Sequence, residues 1–161
     1  MGRDVELRAF SPSRICETVV AEGPAALREV AGRETPPVDV GRLAELLGTR
    51  VYSVEFNSPD LVSSASKNPH GETRIFVDAS LSPEWKRVAV AKELARLILE
   101  RADDRQSEPS VASVSRLANE LLMLRGLVSS MWPLIRDERE LAHIFYVPNT
   151  VMNSRITELG L

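Results

Sequence analysis

Apolar residues recur along this chain in two periods, and the switches between them mark out its elements. Ser11-Pro12-Ser13 opens a helical pattern that places Ile15, Val19 and Val20 on one side. Residues 1–11 before it read as a loosely held lead-in. Gly23-Pro24 interrupts the pattern, and residues 25–30 restart a helix that ends near Gly32. Pro36-Pro37 is a stiff connector, because proline fixes φ and pushes the residue before it towards extended backbone. Residues 39–48 predict a short helix with Asp39 as cap, Val40, Leu43, Leu46 and Leu47 as its apolar stripe, and Gly48 as its stop. The period then changes to two. Residues 50–56 alternate as a strand, 57–60 make a turn, 61–67 form a weaker strand, 68–72 turn again, and 73–77 form a third strand. Two tight turns between three short strands predict an antiparallel meander.

The helical period returns at Ser82-Pro83-Glu84, where a serine cap, proline at the first helical position and an early glutamate coincide. This helix should run to about Arg101. Val88, Ala91, Leu94, Ala95, Leu97 and Ile98 give it an apolar face broad enough for the centre of the core. Residues 102–110 read as a polar mobile loop. A second long helix spans 111–124, with Val114, Leu117, Ala118, Leu121 and Leu122 inward. Residues 125–135 continue irregularly through Trp132-Pro133, 137–145 form a helix, 146–148 a turn, and 149–159 the last helix before Gly160-Leu161. The fold class is α+β: a small three-stranded antiparallel sheet packed on a bundle of helices. Residues 1–135 are read as one domain and residues 136–161 as a helical segment packed on it.

Composition narrows the options. A net charge of −3 over 161 residues argues against a generic polyanion binder. A single cysteine, Cys16, precludes an intrachain disulfide and reads as a buried thiol in a reducing compartment. No apolar run approaches a membrane span and the N-terminal residues lack a signal-peptide core, so the expected location is the cytoplasm.

The stretch Arg87-Val-Ala-Val-Ala-Lys-Glu-Leu-Ala-Arg-Leu-Ile-Leu-Glu100 has the frame of a metallopeptidase helix. In that frame two histidines at i and i+4 hold zinc, and the glutamate after the first is the base. Here the three positions read Lys92, Glu93 and Arg96. Around it stand Pro37–Val51, Arg74-Ile-Phe-Val-Asp-Ala-Ser80, Arg116-Leu-Ala-Asn-Glu-Leu-Leu-Met123, and Leu141-Ala-His-Ile-Phe-Tyr-Val-Pro followed by Met152, Arg155-Ile156 and Leu159-Gly-Leu161. In this order the stretches resemble the ImmA/IrrE family of small zinc metallopeptidases over roughly residues 25–161. The resemblance implies a zincin-like scaffold with a C-terminal helix-turn-helix-like segment, and work alongside a helix-turn-helix repressor.

The resemblance also implies histidines where Lys92 and Arg96 stand, and a third ligand near Val111 or Ser113, neither of which supplies a carboxylate. Two cations beside a dication would repel it by roughly 4 kcal/mol per contact at ~4 Å and an effective dielectric near 20. The expectation is therefore no zinc and no other cofactor, with Glu93 the remnant of a general base. Lys92 and Arg96 share one helical face with Glu93 adjacent. They are expected to pair with Glu93 or with Glu120 on the next helix, or to line a remnant cleft that takes a partner's carboxylate.

Other candidates carry less. His70 reads as a solvated turn residue and His143 as structural, while Trp132 and Phe145 read as core anchors. Ser63, Ser64 and Ser66 read as a hydroxyl-rich strand with no base beside it. The would-be recognition helix carries one arginine, Arg155, against Glu158, too few cations for phosphate binding. The reading that follows is a non-catalytic regulatory protein that binds a helix-turn-helix repressor or a toxin–antitoxin-like protein, with a homodimer left open. An active metallo-endopeptidase with relocated ligands and a DNA-binding regulator acting through the C-terminal segment are the two alternatives.

Overall fold

The computed structural model describes residues 11–24, 26, 35–103 and 107–161. The expected lead-in over 1–10 and the helix over 25–30 lie outside the described residues, apart from Ala26, as does part of the polar loop at 104–106. Helix α1, Pro12–Glu22, begins with proline in its first turn and buries Ile15, Cys16 and Val19. Helix α2, Val40–Leu46, starts where the Asp39 carboxylate accepts a 3.0 Å hydrogen bond from the Arg42 amide. Gly48, at φ +67°, then turns the chain into the sheet.

The sheet is mixed, which corrects the expected antiparallel meander. Strands β1 (Thr49–Val54), β2 (Ser63–Lys67) and β3 (Thr73–Asp78) lie in the order β1-β3-β2. β1 runs parallel to β3, whereas β2 runs antiparallel to it. Only the second turn is a hairpin. Residues 55–62 instead carry the chain past the end of β3, where the Asp78 amide donates to Val62 O and the Ala79 amide to Val54 O. The physical reason lies in the strands themselves. Ile75, Phe76 and Val77 make β3 the most apolar of the three and it takes the centre, with Ile75 and Val77 buried. Ser-Ser-Ala-Ser-Lys of β2 buries little and takes an edge.

Helix α3, Pro83–Ala102, is the expected central helix. Ser82 caps it, and nine of its residues are buried, from Val88 to Ile98. Helix α4, Val111–Leu122, packs beside it and stops two residues earlier than expected, with Met123 outside the helix and buried. The irregular stretch expected over 125–135 is a continuous helix, α5 (Arg125–Ile135). Pro133 falls in its last turn, where only one backbone bond is lost, and left-handed Arg136 ends it. Asp137 caps α6, Glu138–Phe145, by accepting from the amides of Arg139 and Glu140. Left-handed Tyr146 then leads to α7, Asn149–Leu159.

One half-buried arginine ties these layers together. Arg87 of α3 donates to Val38 O at 2.8 Å and to Tyr146 O at 3.0 Å, and its guanidinium lies 5.5 Å from the Tyr146 ring centre. The α3 face, the approach to α2 and the end of α6 are thereby fixed to one another. The molecule is α+β, and among the described residues no helix is long and apolar enough to cross a membrane.

Candidate functional site

A groove of about 610 Å³ runs between α3 and the edge strand β2. All five residues of β2 line one wall, and Glu93, Arg96, Leu97 and Glu100 of α3 form the other. Helical spacing explains the second wall, because positions i, i+3, i+4 and i+7 share a face. Within the first wall, Ser63, Ala65 and Lys67 are two apart and share one face, in register with Val77, Ile75 and Thr73 of β3.

Glu93 is the buried charge of the site, 6% exposed. A carboxylate in that position must be hydrogen-bonded or paired. The Ser63 hydroxyl donates to Glu93 Oε1 at 2.7 Å, and Arg96 Nε lies 4.0 Å from Glu93 Oε2. The strand of serines therefore does have a partner on the helix, which corrects the expectation of a hydroxyl-rich strand with no base beside it. Strand alternation puts Ser63 on one face of β2 with Ala65 and Lys67, and tertiary packing sets that face against Glu93.

The expected site residues divide among three places. Glu93 and Arg96 meet in the groove. Lys92 is exposed on α3, one turn before Arg96, and is not part of the groove lining. Glu120 does not meet these cations. It is bound by Arg155 of α7, whose Nη2 pairs with Glu120 Oε1, while the Arg125 amide donates to Glu120 Oε2. Arg155 also donates to Met123 O at 3.1 Å and stands 3.1 Å from Glu158 Oε2. It is 0% exposed, so the single cation of α7 is a core group. His70 is exposed in the β2–β3 turn and His143 is exposed on α6. Phe145 is fully buried, as expected of an anchor, and Trp132 is half-buried with Arg136 stacked over its ring.

The donor set does not fit zinc. Lys92 and Arg96 are cations, Glu93 is engaged by Ser63 and Arg96, and Val111 is 84% exposed at the start of α4. Among the described residues, no group of three or more His, Cys, Asp or Glu is placed to hold a metal ion.

No protein-family model and no curated protein matches this chain. The likeness to ImmA/IrrE metallopeptidases rests on the sequence stretches quoted above. What the fold and site define is an α+β protein with a groove between a core helix and the open edge of a mixed sheet.

Proposed function

We propose that this protein is a non-catalytic regulatory module that holds an extended segment of a protein partner in the groove between α3 and β2. The observation that carries the reading is that one wall of the groove is a strand edge left unpaired among the described residues. Asp78 donates to Val62 O and Asn68 donates to Glu72 O, so these pairs bracket β2 as hydrogen-bonded rungs. Antiparallel rungs alternate, which leaves the N–H and C=O groups of Ser63, Ala65 and Lys67 directed away from β3. An edge of this kind accepts a further strand through main-chain bonds, with side-chain pockets supplying selectivity.

The partner class follows from the resemblance: a helix-turn-helix repressor, or a regulator of toxin–antitoxin type, bound without cleavage. Glu93, where a zincin carries its base, has the serine and the arginine as its neighbours. Direct DNA binding gains nothing from α7, whose one arginine is buried against carboxylates.

The test is affinity capture from the native host, with the captured protein identified, using wild type and Ala65→Pro. Proline at Ala65 removes a donor from the open edge and leaves the β2–β3 ladder bonds in place. Capture of a repressor by wild type and its loss in Ala65→Pro is the expected result. Stoichiometric zinc in the purified protein, together with cleavage of that repressor, would overturn the reading.

A further inference from the structure

At the sequence position where the resemblance implies a second zinc-ligating histidine, this chain carries the guanidinium of Arg96, and that changes what the groove selects. Arg96 spends only its Nε edge on Glu93, at 4.0 Å. Its Nη1 and Nη2 groups have no partner among the described residues, and its side chain is 44% exposed on the groove wall. A guanidinium with its terminal edge open offers two parallel N–H groups, the geometry that grips a carboxylate in bidentate fashion. Glu93 does not compete for that edge, because the Ser63 hydroxyl occupies its Oε1 and the Nε side of Arg96 faces its Oε2.

The remaining charges of the groove lie towards one end. Arg101 of α3 donates to Thr73 Oγ1, and Thr73 is the register partner of Lys67. Lys67 therefore sits towards the C-terminal end of α3, where Glu100 also lines the groove. Glu93 and Ser63 mark the other end. Between Glu93 and Glu100 the helix rises about 10 Å, enough for three or four residues of extended chain. Arg96 stands midway along that length.

We infer that the groove binds an extended peptide that adds to β2 and places an aspartate or glutamate side chain on the Nη1/Nη2 edge of Arg96. This inference rests on the proposed groove-binding role and adds to it the charge of the residue selected. The main-chain bonds to Ser63, Ala65 and Lys67 set register and are indifferent to sequence. Arg96 supplies the discrimination.

The experiment uses the isotope-labelled full chain and three acetylated, amidated pentapeptides, Thr-Val-Xaa-Val-Thr, in which Xaa is glutamate, glutamine or lysine. Amide shifts of Ser63, Ala65 and Lys67 and the Nε–H signal of Arg96 are followed by NMR titration. The glutamate peptide is expected to bind at least about tenfold more tightly than the lysine peptide, the scale of one charge-assisted hydrogen-bonded contact. Arg96→Gln is expected to bring the three peptides to within about twofold of one another on the same grounds, while the β2 shifts persist. Equal binding of the glutamate and lysine peptides to wild type, or an undiminished preference in Arg96→Gln, overturns the carboxylate assignment and leaves the groove as a peptide site. Absence of β2 shifts with all three peptides at millimolar concentration overturns both.

Discussion

Ser63 Oγ lies 2.7 Å from Glu93 Oε1, a hydrogen bond that joins the edge strand to the central helix across 30 positions of sequence. The acceptor is a buried carboxylate, so the bond is worth more than its neutral counterpart. Removing the hydroxyl leaves Glu93 with Arg96 alone, a long contact to a half-exposed side chain. Ser63→Ala is therefore expected to lower unfolding free energy by about 1–3 kcal/mol. Ser63→Ala in a Glu93→Gln background should cost less, because an amide tolerates the missing donor better than a charge. Urea unfolding of the four species of this cycle gives the coupling directly.

Arg96 contrasts with Ser63 in stability and in function. Its contact with Glu93 is 4.0 Å and its side chain is largely solvated, so solvent screening leaves the pair with little energy. Arg96→Ala is expected to change stability by less than about 1 kcal/mol, well below the effect of Ser63→Ala. Thermal and urea midpoints measured side by side check the ranking. A larger loss for Arg96→Ala would mean that the guanidinium is committed to holding Glu93 and is not available to a ligand.

Cys16 makes a prediction about pH. It is fully buried in α1, and burial pushes its thiol above the ordinary range, with Arg101 only partly opposing this. The neutral thiol is the form the fold favours. Its contribution is thus fully present below the unfolded thiol pKa of about 8.5 and is lost as pH rises towards the higher folded value. Between pH 8 and pH 10, wild type should lose more stability than Cys16→Ala, and the difference between their two curves isolates the thiol. The same burial predicts slow reaction with a thiol reagent at neutral pH, at a rate set by opening of α1.

The helices were the legible part of this chain because their periodicity and caps are local. Ser82-Pro83-Glu84 and Asp137 announce α3 and α6, and both begin where those residues stand. Strand order was not legible. Alternation predicts strands over residues 50–56, 61–67 and 73–77, close to the observed ones, but whether β1 lies beside β2 or β3 depends on how residues 55–62 cross the sheet end, and no local rule decides that. The candidate site was half legible for the same reason. Glu93 and Arg96 are i and i+3 on one helix, so their meeting follows from spacing, whereas Ser63 enters only through tertiary packing. Glu120 was misassigned because its partner Arg155 sits 35 positions away on α7 and is drawn there by the end of α4.

That last pairing sets how firmly the C-terminal helices are held. Arg155 is fully buried and holds Glu120, Glu158 and the Met123 carbonyl, while Asn119 adds a 3.2 Å bond to Glu158. Deleting one member of a buried ionic cluster strands the others, which typically costs 3–5 kcal/mol. Glu120 and Glu158 keep some solvent access, so Arg155→Leu is expected to cost about 3 kcal/mol, the low end of that range. The loss should be local at first, because α7 packs chiefly on α6, with α5 beside it, and is tied to the end of α4 through Arg155. Limited proteolysis should then cut near residues 146–149 in Arg155→Leu under conditions where wild type resists, before global unfolding is seen by circular dichroism. Adding Glu120→Gln to Arg155→Leu should recover part of the loss, since the carboxylate no longer lacks a counter-charge. If the double variant is no more stable than Arg155→Leu, the cost lies in the vacated volume and the Met123 carbonyl, and the ion pair is not what anchors α7.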